Sequence, residues 1–511
     1  MNEGPARTAQ ARMRGLVSSL ALALALAITG LASSAGLHAQ TVVDVKREIE
    51  VVRRHMASPE LSAALRFIEG EQADPTNVLQ DWIGVCNAYG PSRDETYRAN
   101  HIYKMFRIYG LEHVYIDRDR NVVAVRPGTG GGPKVVITAH HDNVALWPKD
   151  QPVEAFVRDG RVYCPAAGDD IVGVVQLFTI LRAMNAANLQ TRGDVWFVTF
   201  SGEESGSVGA ENFARGNYPH NLDWRKGDVV VQLHGGAGEG ATTGSQPIIT
   251  LATLRFFTPF ERTIPDQPGA DRRWRPHAVD VMALAISRIR AELTDPRSDC
   301  LRCGDRTGEE AEWYVNMAQI EASAIRNRPA SEAAILMDIR AANWAQMREL
   351  HQRIMKIAEE SCEVLRTRGF PPHYYKERCS YSFRVDEVYG RDWETDPIPG
   401  FDRLNNPGAR MIAAAGHVLY GFPPIIEIGR GCGDCSNMYK AGLPAFSFRG
   451  SVVDYGGGRF ERGPGGRLGG HDVTESQAIV NIWAGVKHAL VFAASYAGLT
   501  SVPAANNDDA Q

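Results

Sequence analysis

The side chains of this 511-residue sequence that could together carry metal chemistry are His140, Asp142, Asp169, Glu203, Glu204, His234 and His471. Imidazoles and carboxylates are ligands that zinc takes at about 2.0–2.2 Å, and a catalytic ion keeps one position open for water. Two ions about 3.5–4 Å apart need a bridging carboxylate and two more ligands each. The set supplies that number: Asp169 can bridge, His140 and His234 can complete one ion, and Glu204 and His471 the other. Asp142, two residues after His140, can accept the far ring N–H and fix the tautomer of that histidine. Glu203 is left as the general base. A metal-bound water would attack a polarised carbonyl while Glu203 takes its proton and later gives it to the leaving amine. Each member has a bland reading: a histidine after a strand is often structural, and an isolated Glu-Glu pair is often a solvated turn. His141 is the alternative to His140, although the His-x-Asp spacing favours His140. The group is more specific than any member.

Strands must deliver these residues to one place. The apolar run 194–200 reads as a buried strand and 207–215 as a helix, so Glu203-Glu204 sits between Gly202 and Gly206 where a strand meets a loop. Residues 121–126 and 134–139 are strand-like, and the second delivers His140-His141-Asp142. Residues 228–233 form another strand that ends at His234, and Gly168-Asp169-Asp170 leads into an amphipathic helix over 171–184. Helix-like spacing also covers 45–55 and 94–109. This alternation predicts an α/β fold with a mostly parallel sheet flanked by helices. In such sheets the ligand crevice lies beyond the carboxyl ends of the strands. The pattern breaks over 236–390, where helices at 279–293 and 344–365 and strands at 318–325, 333–339 and 381–388 predict an inserted α+β domain. A helix at 407–420, a strand at 445–448, a glycine-rich loop to Gly470 and a last helix at 475–494 resume the larger unit. The expected division is 40–235 and 391–500 for the two parts of a catalytic domain, 236–390 for the insert, and 501–511 for a frayed tail.

Composition bounds the partners. With 44% hydrophobic and 23% charged residues the chain is globular rather than disordered. A formal net charge of −5 gives no basic footprint for nucleic acid. Residues 1–39 look like a secretory signal peptide: Arg7, Arg12 and Arg14 precede a short apolar run that ends in small residues. Export to the periplasm or the exterior is the expectation, with no stable membrane span after cleavage. The eight cysteines are then free to form disulfides. Cys300/Cys303 and Cys432/Cys435 have the spacing of a four-thiolate zinc site, but local disulfides or buried thiols suit an oxidising compartment better.

The order His140-x-Asp142, Asp169-Asp170, Glu203-Glu204, Gly433-Asp434 and a late His471 with Glu475 four residues on resembles metallopeptidase family twenty, the di-zinc hydrolases that include aminoacylases, glutamate carboxypeptidase and peptidase T. The resemblance spans roughly residues 50–495. It implies a di-zinc α/β catalytic domain, an inserted lid that often dimerises, and a small peptide or N-acyl amino acid as substrate. Cobalt or manganese could replace zinc in such a site. Residues 327–331 and 338–340 are similar to the family's lid segment, which implies that Asn327 contacts the substrate's carbonyl and Arg340 its carboxylate. His277 falls in the region of the family's lid histidine. The family often has a Lys after the bridging Asp, whereas this chain reads Asp169-Asp170-Ile-Val-Gly173, which is similar to the related aminopeptidase family twenty-eight. A non-catalytic binding protein on the same fold would normally have lost a ligand or the base, and none is missing here.

Overall fold

The computed structural model describes residues 40–503 except 145–152, 217–223, 226, 235–239, 245–247, 259–276, 294–312, 323–329, 342, 368–378, 390–401, 403, 430–432, 442, 444, 450–451 and 464–465. The larger sheet runs, edge to edge, through Gln40–Val42, Ile425–Gly429, Gly240–Gly244, Ala445–Arg449, Val229–Gln232, Val135–His140, Val195–Phe200, Val122–Arg126 and His113–Ile116. Its centre is parallel: Val135–His140 lies between Val195–Phe200 and Val229–Gln232 with all three running the same way. Antiparallel pairs flank this centre on the Val122–Arg126 side and between Ala445–Arg449 and Gly240–Gly244.

Every residue of Val135–His140 is buried, because helices cover both faces of the sheet. Val135, Ile137 and Ala139 face the main core, built with the helices Val172–Ala186, Pro407–Tyr420 and Ile482–Ala497. Val136 faces the other side, where Phe200, Phe213, Val230 and Met438 pack. The helix Pro407–Tyr420 shows how the sequence sets its own limits. Asn406 accepts the N–H groups of Gly408 and Ala409, Pro407 fills the first turn, and Gly421 ends the helix at φ +73°. Ala413, Ala414 and Ala415 are fully buried there, small enough to let neighbouring elements approach.

The segment between has its own core. The antiparallel sheet Trp313–Ala322, Glu332–Ala341, Ile248–Phe257, Ser380–Tyr389 packs Leu254, Phe256, Ile335 and Ile339 against the helices Ala278–Leu293 and Trp344–Thr367. Two features differ from the sequence reading. Gly240–Gly244, within the expected insert, is a strand of the larger sheet, paired in parallel with Ile425–Gly429. The last helix begins at Ile482, not near Glu475: Ser476–Ala478 pairs instead with Arg161–Tyr163, a long-range contact that overrides local helical preference.

Disulfides join Cys86 to Cys164 and Cys362 to Cys379. Cys435 is also disulfide-bonded, so it cannot be a thiolate of a four-cysteine zinc site, and Cys300, Cys303 and Cys432 lie outside the described residues. The Cys86–Cys164 bridge ties the helix Thr76–Asn87 to the loop that leads into Asp169. Trp82 of that helix donates its indole N–H to the Ala167 carbonyl at 3.2 Å. Replacing Cys86 and Cys164 together by Ser is expected to lower stability by about 2–4 kcal/mol, since the bridge closes a long loop. A guanidinium titration checks this; an unchanged midpoint would contradict it.

Candidate metal centre

The strand register brings the site together. His140 is opposite Phe200, and Thr138 is opposite Gln232. His234, two residues past Gln232, therefore comes level with His140, and Glu203 and Glu204 follow Phe200 over the same edge. The loop carrying Asp169 reaches this edge from below: Ala166 adopts φ +63°, and Gly168 N–H donates to Glu475 Oε1 at 2.7 Å. Glu475 Oε2 also takes the backbone N–H of His471 at 3.3 Å, so one carboxyl group fixes both loops.

Two triads result, and they share Asp169. In one, His140 Nε2 is 3.2 Å and His234 Nε2 3.1 Å from Asp169 Oδ1. In the other, His471 Nε2 is 3.2 Å from both Asp169 Oδ2 and Glu204 Oε2. The ligand atoms of each triad lie within 4.8 Å of one another. Bonds of about 2.0–2.1 Å in a tetrahedron place ligand atoms roughly 3.3 Å apart, so these spacings suit a zinc-sized ion. His140 Nδ1 sits 3.2 Å from Asp142 Oδ1, the placement that fixes a metal-binding tautomer. His141 points elsewhere. Both of its ring nitrogens are buried without a hydrogen-bond partner, and burial depresses its pKa to about 3.

The charges also fit. Burial and the nearby Asp169 push Glu204 up to about 7 and Glu475 up to about 8. Burial lifts Asp434 well above the carboxylate range, with Glu203 adding to the effect. Burial alone would depress His140 and His234, yet surrounding carboxylates hold His140 well above its ordinary range and lift His234 to about 9. Hydrogen bonds to Asp169 and Glu204 raise His471 to about 11. So much buried negative charge, answered here by imidazole protons, is the setting in which divalent cations displace protons.

Behind the site lies a brace that the sequence reading missed. Asp142 accepts from Ser92 Oγ at 2.5 Å and from the backbone N–H groups of Glu203 and Glu204 at 3.0 and 3.1 Å. Glu95, fully buried, accepts the Gly202 N–H at 3.1 Å and pairs with Arg120. Arg98, also fully buried, donates to the carbonyls of Ala88, Gly90 and His141 and to Asn143 Oδ1. Glu95 and Arg98 stand at the start of the helix Thr96–Ile108, with Ser92 in the turn before it, and the spacing there announces only an amphipathic helix. Asp170 takes backbone N–H groups, from His140 and Gly173.

Of the remaining expected residues, Glu203 lies against Gly433, and a methyl group at that glycine would collide with Glu203 Oε1. Arg340 sits on Glu332–Ala341 and pairs with Asp338 of the same strand at 2.7 Å. Asn327 lies outside the described residues. His277 immediately precedes the helix Ala278–Leu293.

Among the described residues the larger sheet carries this cluster beyond its parallel centre, where α/β enzymes hold their ligands. The profile of peptidase family M20/M25/M40 matches residues 136–461, and the chain belongs to that family. It hydrolyses peptides or amides. Solved structures agree on the fold. The dipeptidase Dug1p of Saccharomyces cerevisiae aligns with a TM-score of 0.59 at 12% identity, over 86% of this chain and 98% of that one. A tripeptidase of Staphylococcus aureus gives 0.56 at 16%, over 83% and 99%. Human carnosine dipeptidase 1 gives 0.56 at 11%, over 86% and 99%. No curated protein matches in sequence.

Because the colliding atom is the end of a flexible side chain, Gly433→Ala is expected to fold with near wild-type stability while displacing Glu203. Turnover should fall at least about tenfold, with thermal midpoint and metal content retained. Wild-type turnover would contradict the placement of Glu203.

Proposed function

We propose that this chain is an exported di-zinc hydrolase that cleaves the amide bond of a short peptide or an N-acyl amino acid. The observation that carries the reading is the pair of triads sharing Asp169, with Glu203 beside them. The bound ions would supply Lewis acidity and lower the pKa of water, as zinc does. The protein does the rest. His140 and His234 would hold one cation and Glu204 and His471 the other, with Asp169 serving both; cobalt or manganese could serve in the same donor set. Asp142 keeps the His140 ring oriented and holds the Glu203-Glu204 backbone in place. Glu203 accepts a proton from the attacking water and returns it to the leaving nitrogen.

The substrate class rests on the family and on neighbours named as a tripeptidase and dipeptidases. The separate core of the four-stranded sheet supports reading the insert as a lid, with Asn327 and Arg340 as its substrate contacts; two such lids could pair in a homodimer. Export is supported by the charge and apolar pattern of residues 1–39 and by the disulfides, which persist in oxidising compartments. Among the described residues no helix is long and apolar enough to cross a membrane.

The test is a panel of free and N-acetylated dipeptides assayed with wild type and Glu203→Gln. Wild type should turn over at least one class, and the variant should lose about 10²–10⁴-fold in kcat with its metal content intact. Unchanged turnover in the variant would remove Glu203 from its role. Hydrolysis of free dipeptides alone would point to recognition of the substrate amine, and of acetylated ones alone to an aminoacylase.

A further inference from the structure

Arg467 reaches the metal centre without a place in the chemistry described above. Its Nη1 lies 2.6 Å from Asp169 Oδ2, the oxygen that faces His471 and Glu204. The side chain is largely enclosed, at 15% exposure, in a slot cleared by two glycines. A methyl group at Gly168 would come within 2.9 Å of Arg467 Cγ, and one at Gly470 would collide with the guanidinium. The slot is anchored by strand pairing, since Arg467 is opposite Gln477 and Leu468 opposite Ser476. The two triads are therefore unequal. The His140/His234 side has Asp169 Oδ1, whose close partners are the two imidazoles. The Glu204/His471 side has a second carboxylate, but its shared oxygen already carries a fixed positive charge.

We propose that Arg467 selectively weakens cation binding at the Asp169–Glu204–His471 subsite and so keeps that ion exchangeable. Two effects act together. The guanidinium engages a lone pair of the oxygen that must ligate the ion, and it cancels about one unit of the carboxylate charge that attracts it. The inference rests on the di-metal reading, and it makes Arg467 a positioning residue for the metal rather than a catalytic one.

The test is competition between the metal-stripped full-length protein and a chromophoric chelator for zinc alone, in wild type and in Arg467→Met, which keeps the aliphatic stem and removes the charge. The expected result is that one of two binding constants tightens about tenfold or more while the other stays within about threefold. Arg467→Lys, which keeps the charge, should stay near wild type. In a His471→Ala background, with only the other subsite complete, Arg467→Met should leave the remaining constant within about threefold. Two ions bound with both constants unmoved by Arg467→Met, or both tightened equally, would overturn the inference and leave the di-metal reading standing. Wild type binding no zinc would defeat that reading itself. A thermal melt of the stripped proteins separates these outcomes from misfolding.

Discussion

One buried carboxylate, Asp169, is the constraint that the rest of the site serves. Its two oxygens face opposite groups: Oδ1 the imidazoles of His140 and His234, Oδ2 those of His471 and the guanidinium of Arg467. A charge held at 6% exposure is costly unless it is paired and hydrogen-bonded. Its partners come from three separate stretches of chain, so the site can exist only when those stretches are folded against the one that carries Asp169. The parallel centre of the sheet sets His140 and His234 level, and Glu475 pins the Asp169 and His471 loops together.

Asp142 performs the corresponding task for the second carboxylate pair. A single buried side chain orients the His140 ring and receives the backbone N–H groups of Glu203 and Glu204. His140, Glu203 and Glu204 are thereby positioned by the same group. Ser92, Glu95 and Arg98 extend the arrangement into the body of the fold and satisfy polar groups that would otherwise be buried unpaired. The residues of the cluster thus stand on elements whose own positions are fixed, as a preorganised site requires.

His140, Glu203, Glu204 and His234 were legible as candidates that fall together because strand ends are legible. Apolar runs of strand length each terminated in a polar residue with metal-binding chemistry, and the observed strands Val135–His140, Val195–Phe200 and Val229–Gln232 stop where that pattern indicates. The brace was not legible, because Ser92, Glu95 and Arg98 act through backbone groups far away in sequence and leave no periodic mark. Arg467 was hidden for a similar reason: it reads as a loop arginine until the two-residue pairing with Ser476 and Gln477 aims it at Asp169. The strand Ile248–Phe257 went unassigned beside Pro- and Arg-rich sequence, although all but three of its residues are buried between its two neighbours. Gly240–Gly244 has almost no side-chain signal, and only its pairing partners make it a strand.

The shared role of Asp169 is tested most directly by counting metal ions per chain, by elemental analysis, in wild type and in Asp169→Ala purified without chelator. Two per chain in wild type, falling below one in the variant while its circular dichroism spectrum is kept, is the predicted result. One ion or none in wild type, or two retained in the variant, would contradict a bridged pair held by this carboxylate.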